Sequence, residues 1–462
     1  MKYVSTRGEA PELNFEEVLL TGLARDGGLY LPEEWPQISH DQIKAMAGQS
    51  YQEIAFTVMS PYVCPEIPEE DFKGLIEKAY SSFRHDAITP LAQLDSNEWM
   101  LELFHGPTLA FKDVALQLLG NIFDYVLSKN DQKITIVGAT SGDTGSAAID
   151  CVQGSDRAQI FMLHPKGRVS DVQRKQMTTV IEDNVHNIAI EGDFDHCQAM
   201  VKALFNDHEF RDEINLSAVN SINWARVMAQ IVYYFTSAVA LGAPEKKVSF
   251  SVPTGNFGDV YAGYIAKKMG LPIEQLVVAT NINDILSRTI KSGEYKIGET
   301  IPTISPSMDI QVSSNFERLL YNIYDGSGDD IRALMNGLNQ SGQFNIAEGP
   351  LNKAKDTFDA ERVSEDDTKQ TIGEVFASSN QVVDPHTAVG INAARKNWKD
   401  KSIPMVSLST AHPAKFPEAV KEVTGTYPEL PPHMADLFDR PEKFDVLPND
   451  LAALKAYIRK NL

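Results

Sequence analysis

Cysteine is scarce in this sequence: Cys64, Cys151 and Cys197 are the three in 462 residues, with no CxxC pair and no histidine at zinc-finger spacing. A disulfide framework and a structural zinc site are therefore not expected, and no other metal site is indicated. Long apolar runs are also missing, and none approaches the roughly 18 residues that suggest a membrane span. The first residues, Met1-Lys2-Tyr3-Val4, lack the apolar stretch of a secretion signal. The acids Glu9, Glu12, Glu16 and Glu17 argue against an Arg-rich transit peptide, so a cytoplasmic location is expected. Positive charge is in short supply: 42 Lys and Arg stand against 63 Asp and Glu, a formal charge of −21. Such a surface repels nucleic-acid phosphates and anionic lipid, so neither nucleic acid nor membrane is an expected partner. A small phosphorylated molecule stays admissible, because a few inward-facing cations suffice to hold it. There is no internal repeat and no low-complexity tract, which sets aside solenoids and long linkers.

What is present is an ordinary globular balance of 43% hydrophobic and 23% charged residues, in a chain long enough for two or three compact units. Residues 1 to about 84 carry short helical patterns such as Phe15-Glu16-Glu17-Val18-Leu19-Leu20, with a turn at Asp26-Gly27-Gly28. Beyond about 85 short apolar strands alternate with helices. Ile134-Thr135-Ile136-Val137, a helix over 146–152 and Ile160-Phe161-Met162-Leu163 form a βαβ unit, and its strands must run parallel. A second unit is predicted from Val248-Ser249-Phe250-Ser251-Val252, a helix over 260–269 and Leu276-Val277-Val278-Ala279. The expected division is a helical region 1–84, an α/β region 85–225, a larger α/β region 226–430 and a tail 431–462 with a short helix.

Four segments carry chemistry. The first βαβ turn, Gly138-Ala139-Thr140-Ser141-Gly142-Asp143-Thr144-Gly145, packs glycine and hydroxyl residues where a strand ends and a helix begins. Backbone N–H groups converge there with the positive end of a helix, which suits an anion; an ordinary turn capped by Asp143 or Thr144 has the same look. It has neither a Walker lysine nor a GxGxxG pattern. The second turn, Pro253-Thr254-Gly255-Asn256-Phe257-Gly258-Asp259, repeats the design. Gly255 and Gly258 admit close approach of a phosphate, and Asn256 tolerates left-handed geometry, while a tight turn with Asp259 as N-cap is the plain alternative. In the third, Glu102 to Asp113, Lys112 lies among Leu109, Ala110, Phe111, Val114 and Ala115. Apolar surroundings favour a neutral amine able to form an imine, although most lysines on helices are simply solvated. In the fourth, the strand Pro404-Met405-Val406-Ser407-Leu408 ends in Ser409 and Thr410, and ligands of open α/β sheets bind beyond such strand ends. Lys415 follows, with surface exposure as the plain reading.

Together these segments resemble the threonine synthases, members of the fold-type II pyridoxal-phosphate enzymes that include tryptophan synthase β and cysteine synthase. The likeness extends over Tyr3-Val4-Ser5-Thr6-Arg7-Gly8, the stretch from Gly22 to Pro32, Ser307-Met308-Asp309-Ile310 and Ser314-Asn315-Phe316-Glu317-Arg318, and is closest to the fungal and bacterial branch. The resemblance implies an α/β fold of two open, mostly parallel sheets flanked by helices, with a helical N-terminal region. It implies pyridoxal 5'-phosphate as cofactor and O-phospho-L-homoserine as small-molecule substrate, converted with water to L-threonine and phosphate by a monomer or homodimer. It places the imine on Lys112, the cofactor phosphate at Gly255, Asn256, Phe257, Gly258 and Asp259, and the pyridine nitrogen at Thr410. Ser141, Gly142, Asp143 and Thr144 would meet the substrate, and the leaving phosphate would call on Arg226, Lys415, or Lys166 with Arg168. A phospholyase of a related phosphoamino acid and a non-catalytic homologue that binds the cofactor are the alternatives.

Overall fold

The computed structural model describes residues 1–217 and 221–462. The chain forms two compact units, Met1–His105 with Ser221–Pro428, and Gly106–Asn220 with Glu429–Leu462.

The first unit is built on a six-stranded sheet in the order Phe358–Arg362, Ile273–Thr280, Val248–Pro253, Met405–Ser409, Glu98–Glu102 and Leu91–Gln93. Every neighbouring pair is parallel except the last, which is antiparallel. Val248–Pro253 and Met405–Ser409 are buried at every residue, Ser249, Ser251, Ser407 and Ser409 included, as strands of a sheet covered on both faces are. Helices Trp224–Ala240, Gly258–Lys268 and Pro385–Asn397 belong to this unit.

The N-terminal region supplies helices Phe15–Thr21, His40–Ala45, Tyr51–Val63 and Glu69–Tyr80. Three of them start at capping boxes legible in sequence, Asn14 with Glu17, Ser39 with Gln42 and Ser50 with Glu53. Their region is tied to the large sheet by aromatic packing around Trp224, whose ring lies 6.2 Å from Tyr3, 5.9 Å from Trp35 and 5.6 Å from Tyr62. The strand pair Tyr3–Ser5 and Tyr30–Pro32 is held as well: Thr6 and Arg7 donate to the Glu317 carboxylate, and the buried Arg318 donates to the Tyr30 carbonyl.

The second unit holds a five-stranded, all-parallel sheet in the order Asp445–Pro448, Val185–Glu191, Ala158–Pro165, Ile134–Ala139 and Leu216–Ser217. The expected βαβ unit is present, with Ile136 opposite Ile160 and the helix Asp143–Val152 between the strands. The closing helix Leu451–Asn461 lays Leu454 and Ile458 on Val137, Phe161, Leu163, Ile188 and Ile190. The α/β architecture with two open, largely parallel sheets and a helical N-terminal region is thus the one expected from sequence. No helix among the described residues is long and apolar enough to cross a membrane.

Candidate active site

In the second unit Lys112 is the first residue of helix Lys112–Lys129, entered through Leu109 at φ +63°. Its side chain is buried, 8% exposed, among the apolar residues that the sequence placed on either side of it. Asp113, which could have been a surface acid, is fully buried and closes the entry loop: its carboxylate accepts from the Thr108 N–H at 2.8 Å and the Thr108 hydroxyl at 2.5 Å.

The Ser141–Thr144 turn lies beside Lys112. The Asp143 Oδ2 is 3.6 Å from the Lys112 Nζ, and Gln173 Nε2 donates to the other carboxylate oxygen at 2.8 Å. The helix Asp143–Val152 begins at Asp143 itself, and its N-cap residue, Gly142, contributes no side-chain cap. Thr140 Oγ1 accepts from the N–H groups of Gly142 and Gly145, both at 2.9 Å, so the turn is held open from beneath. Ser141 is exposed and Thr144 half-buried, which leaves their hydroxyls at the mouth of the turn. Gly142 is at φ +152°, and a Cβ there would lie 2.4 Å from the Gln173 Oε1. Gly142→Ala is therefore expected to displace Gln173 and release Asp143, raising KM and lowering kcat together by roughly 10-fold or more. Steady-state kinetics check this, and unchanged constants would contradict it. Gln173 gave no signal in sequence; its role is visible only because the chain returns it to the turn 30 residues later.

In the first unit the Gly255–Asp259 turn leaves the carboxyl end of Val248–Pro253 and enters helix Gly258–Lys268, again without a side-chain cap. The left-handed residue is Phe257 at φ +64°, not Asn256 as the sequence suggested. Its ring is gripped by Phe316 at 5.2 Å and Phe358 at 5.7 Å, packing that offsets the 1–3 kcal/mol typical of such strain, a figure about right for one residue. Ser313 Oγ donates to the Gly255 carbonyl at 2.7 Å, the Asn315 N–H and side-chain amide donate to the Asn256 carbonyl, and Ser314 Oγ donates to the Asn256 Oδ1. With carbonyls engaged below, the uncapped N–H groups of the helix start are left to face an anion. A side chain at Gly255 would be crowded, since a Cβ would meet Ile310 Cδ1 at 2.9 Å and the Ser307 carbonyl at 3.0 Å.

The Asp259 carboxylate points away from that helix start. It accepts from Tyr233 at 2.5 Å and Tyr234 at 2.9 Å, and burial pushes its pKa up to about 6 despite both hydroxyls. Its folded pKa exceeds the unfolded one, so its protonated form favours the fold and stability is lost as pH rises from about 4 to about 6. The loss is about 3 kcal/mol. Asp259→Asn is expected to remove that component, seen as a pH-dependent difference in urea midpoint between the two proteins. A difference independent of pH would contradict it.

Thr410 is buried at the carboxyl end of Met405–Ser409, the strand next to Val248–Pro253, so it lies on the same edge of the sheet as the Gly255 turn. Lys415 is fully buried in the 3-10 turn Pro413–Lys415, contrary to the surface position its sequence neighbours suggested, and Arg226 is buried in the first turn of Trp224–Ala240. Lys166 and Arg168 are exposed, with Lys166 3.3 Å from Glu191.

A buried lysine at a helix start, an uncapped glycine turn closely backed by its neighbours and a hydroxyl at a parallel strand end are the parts that a pyridoxal phosphate requires, and their chemistry fits it. Residues 83–336, more than half of the chain, match the family described as pyridoxal-phosphate dependent enzymes. The chain is an enzyme of that class, and pyridoxal phosphate is its cofactor. Residues 2–80 match the threonine synthase N terminus and residues 387–458 the threonine synthase C-terminal family. A threonine synthase of Pseudomonas aeruginosa is 54% identical, over 100% of this chain and 98% of its own. The crystal structure of the PLP-bound threonine synthase from Brucella melitensis matches with a TM-score of 0.98 at 56% identity, covering 100% of this chain and 99% of the other. That of yeast matches with a TM-score of 0.95 at 43% identity, covering 100% and 98%. The chain belongs to the threonine synthase family.

Proposed function

We propose that this enzyme converts O-phospho-L-homoserine and water into L-threonine and phosphate, as a monomer or homodimer in the cytoplasm. The observation that carries the assignment of roles is the buried Lys112 amine 3.6 Å from an Asp143 carboxylate that Gln173 holds in place. When bound, the cofactor supplies an electron sink for charge developing at the substrate Cα and Cβ. Lys112 would hold the cofactor through its ε-amine, and the same amine, when free, would take the Cα proton as general base. Asp143 aims it. The hydroxyls of Ser141 and Thr144, with the backbone N–H groups of Asp143 and Thr144 at the helix start, hold the substrate carboxylate.

The N–H groups of the Gly255–Asp259 turn receive the cofactor phosphate, with Gly258 opening the helix. Asp259 contributes its backbone there, since its carboxylate serves Tyr233 and Tyr234. Thr410 meets the pyridine nitrogen with a neutral hydroxyl, which does not hold that nitrogen protonated as an aspartate does. Arg226 and Lys415, both buried, would stabilise the phosphate as its charge rises on leaving Cγ; with a proton lost from Cβ and one taken up at Cγ, water then adds at Cβ. Product analysis with O-phosphohomoserine tests this reading, comparing the native chain with Lys112→Ala. Threonine and phosphate in equal amounts, from the native chain alone, are expected. A keto acid and ammonia as main products would instead make it a phospholyase, and no turnover with cofactor bound would make it a binding protein.

A further inference from the structure

Asp384 is a fully buried carboxylate that precedes helix Pro385–Asn397, and each of its two oxygens serves a different chain of hydrogen bonds. The first oxygen accepts from the His386 N–H at 2.9 Å and lies 2.8 Å from the His386 Nδ1. A carboxylate can only accept, so Nδ1 carries the proton and Nε2 is left with a lone pair. That lone pair receives the Ser307 N–H at 3.2 Å. Ser307 sits in the turn Pro306–Met308, and its carbonyl is one of the two atoms, with Ile310 Cδ1, that would crowd a Cβ at Gly255. The first arm therefore seats the backing of the phosphate turn.

The second oxygen accepts from the Thr387 N–H at 3.4 Å and from the Thr387 hydroxyl. With its proton committed to Asp384, the Thr387 Oγ1 must act as acceptor toward everything else it touches. It accepts from the Thr410 N–H at 3.3 Å, and the Ser409 hydroxyl 3.1 Å away must donate to it. The second arm therefore sets the backbone of the residue assigned to the ring nitrogen. Asp384, His386, Thr387 and Ser409 are all buried, so water does not substitute for the bonds among them.

We propose that Asp384 is the positioning residue of the cofactor half-site in this unit, setting the backbone that carries the ring-nitrogen hydroxyl through Thr387 and the backing of the phosphate turn through His386. The proposal rests on the assignment of Thr410 and the 255–259 turn to the cofactor. As a mere helix N-cap, Asp384 would affect stability and leave both ends of the cofactor alone. As a hub it makes the two ends separable by variants on separate arms.

The test uses the full chain stripped of cofactor and titrated with pyridoxal phosphate or with pyridoxal, which lacks the phosphate; binding and the visible absorption band of the bound cofactor are read. Thr387→Val is expected to reproduce the band shift of Thr410→Val, while Thr387→Ser, which keeps the hydroxyl, restores the native band. His386→Phe keeps a ring against Phe416 and is expected to weaken pyridoxal phosphate about tenfold while changing pyridoxal by less than about twofold. Asp384→Asn, able to accept on one side only, is expected to show at least one of the two effects. A native band in Thr387→Val, with Thr410→Val shifted, overturns the ring arm. Equal weakening of both probes by His386→Phe, or none, overturns the phosphate arm. An unshifted band in Thr410→Val removes Thr410 from the ring nitrogen and overturns the ring arm with the assignment beneath it. Should Asp384→Asn not fold, the two single-arm variants decide the matter.

Discussion

Replacing Lys112 by alanine is expected to abolish borohydride trapping of the cofactor on the chain and to lower turnover by roughly 10²–10⁴-fold from the lost proton transfer alone. The fold should survive. Lys112 opens its helix, a position where alanine is well tolerated, and the Gln173 bond still holds Asp143. Lys112→Arg should be equally inactive, because a guanidinium stays protonated at neutral pH and cannot act as the base. A small primary amine added to Lys112→Ala is expected to recover part of the activity by occupying the vacated space next to Asp143. Absorption of the bound cofactor and single-turnover product formation measure this. Undiminished turnover in Lys112→Ala would remove the lysine from the chemistry.

Arg318→Met carries the largest expected effect on stability. The guanidinium is fully buried and burial draws its pKa down to about 10; it donates to the Tyr30 carbonyl at 3.0 and 2.7 Å, to the Ile222 carbonyl at 2.6 Å and to the Asn315 side chain. Methionine fills the volume and leaves those acceptors unsatisfied, at a cost of about 3–5 kcal/mol. Asn315 also fastens Asn256, so pyridoxal phosphate affinity should fall in the same variant. Arg318→Lys is expected to rescue little, since one ammonium cannot span acceptors in three directions. Urea midpoints with and without cofactor decide it; a midpoint equal to that of the native chain would mean the buried acceptors find other donors.

Much of the site was readable before any coordinates. Lys112 in its apolar setting, the two glycine turns and Thr410 at a strand end each had a local reason in their neighbours, and the βαβ units were visible as alternating strand and helix patterns. The errors share a cause. Asn256 was the natural left-handed residue by propensity, yet Phe257 adopts that geometry because Phe316 and Phe358, more than 50 residues away, hold its ring. Asp259 looked like a cap for its own helix, but Tyr233 and Tyr234 from a neighbouring helix turn its carboxylate into the core. The edge strand Asp445–Pro448 escaped notice because it is four residues long and mostly exposed, so it carries no buried apolar run.

What the sequence determined alone was local: helix starts from Ser, Asn and Asp caps, parallel strands from unbroken apolar runs, and turns built of glycine and hydroxyl residues. These depend on a residue and its near neighbours. The tertiary structure decided which polar groups are buried and who satisfies them. Gln173 on Asp143, Asp384 behind Thr410, the sealed-in Lys415 and the acceptors around Arg318 all follow from contacts between distant segments. A hydrogen bond takes its strength from the exclusion of water around it, and that exclusion exists only once the chain has packed.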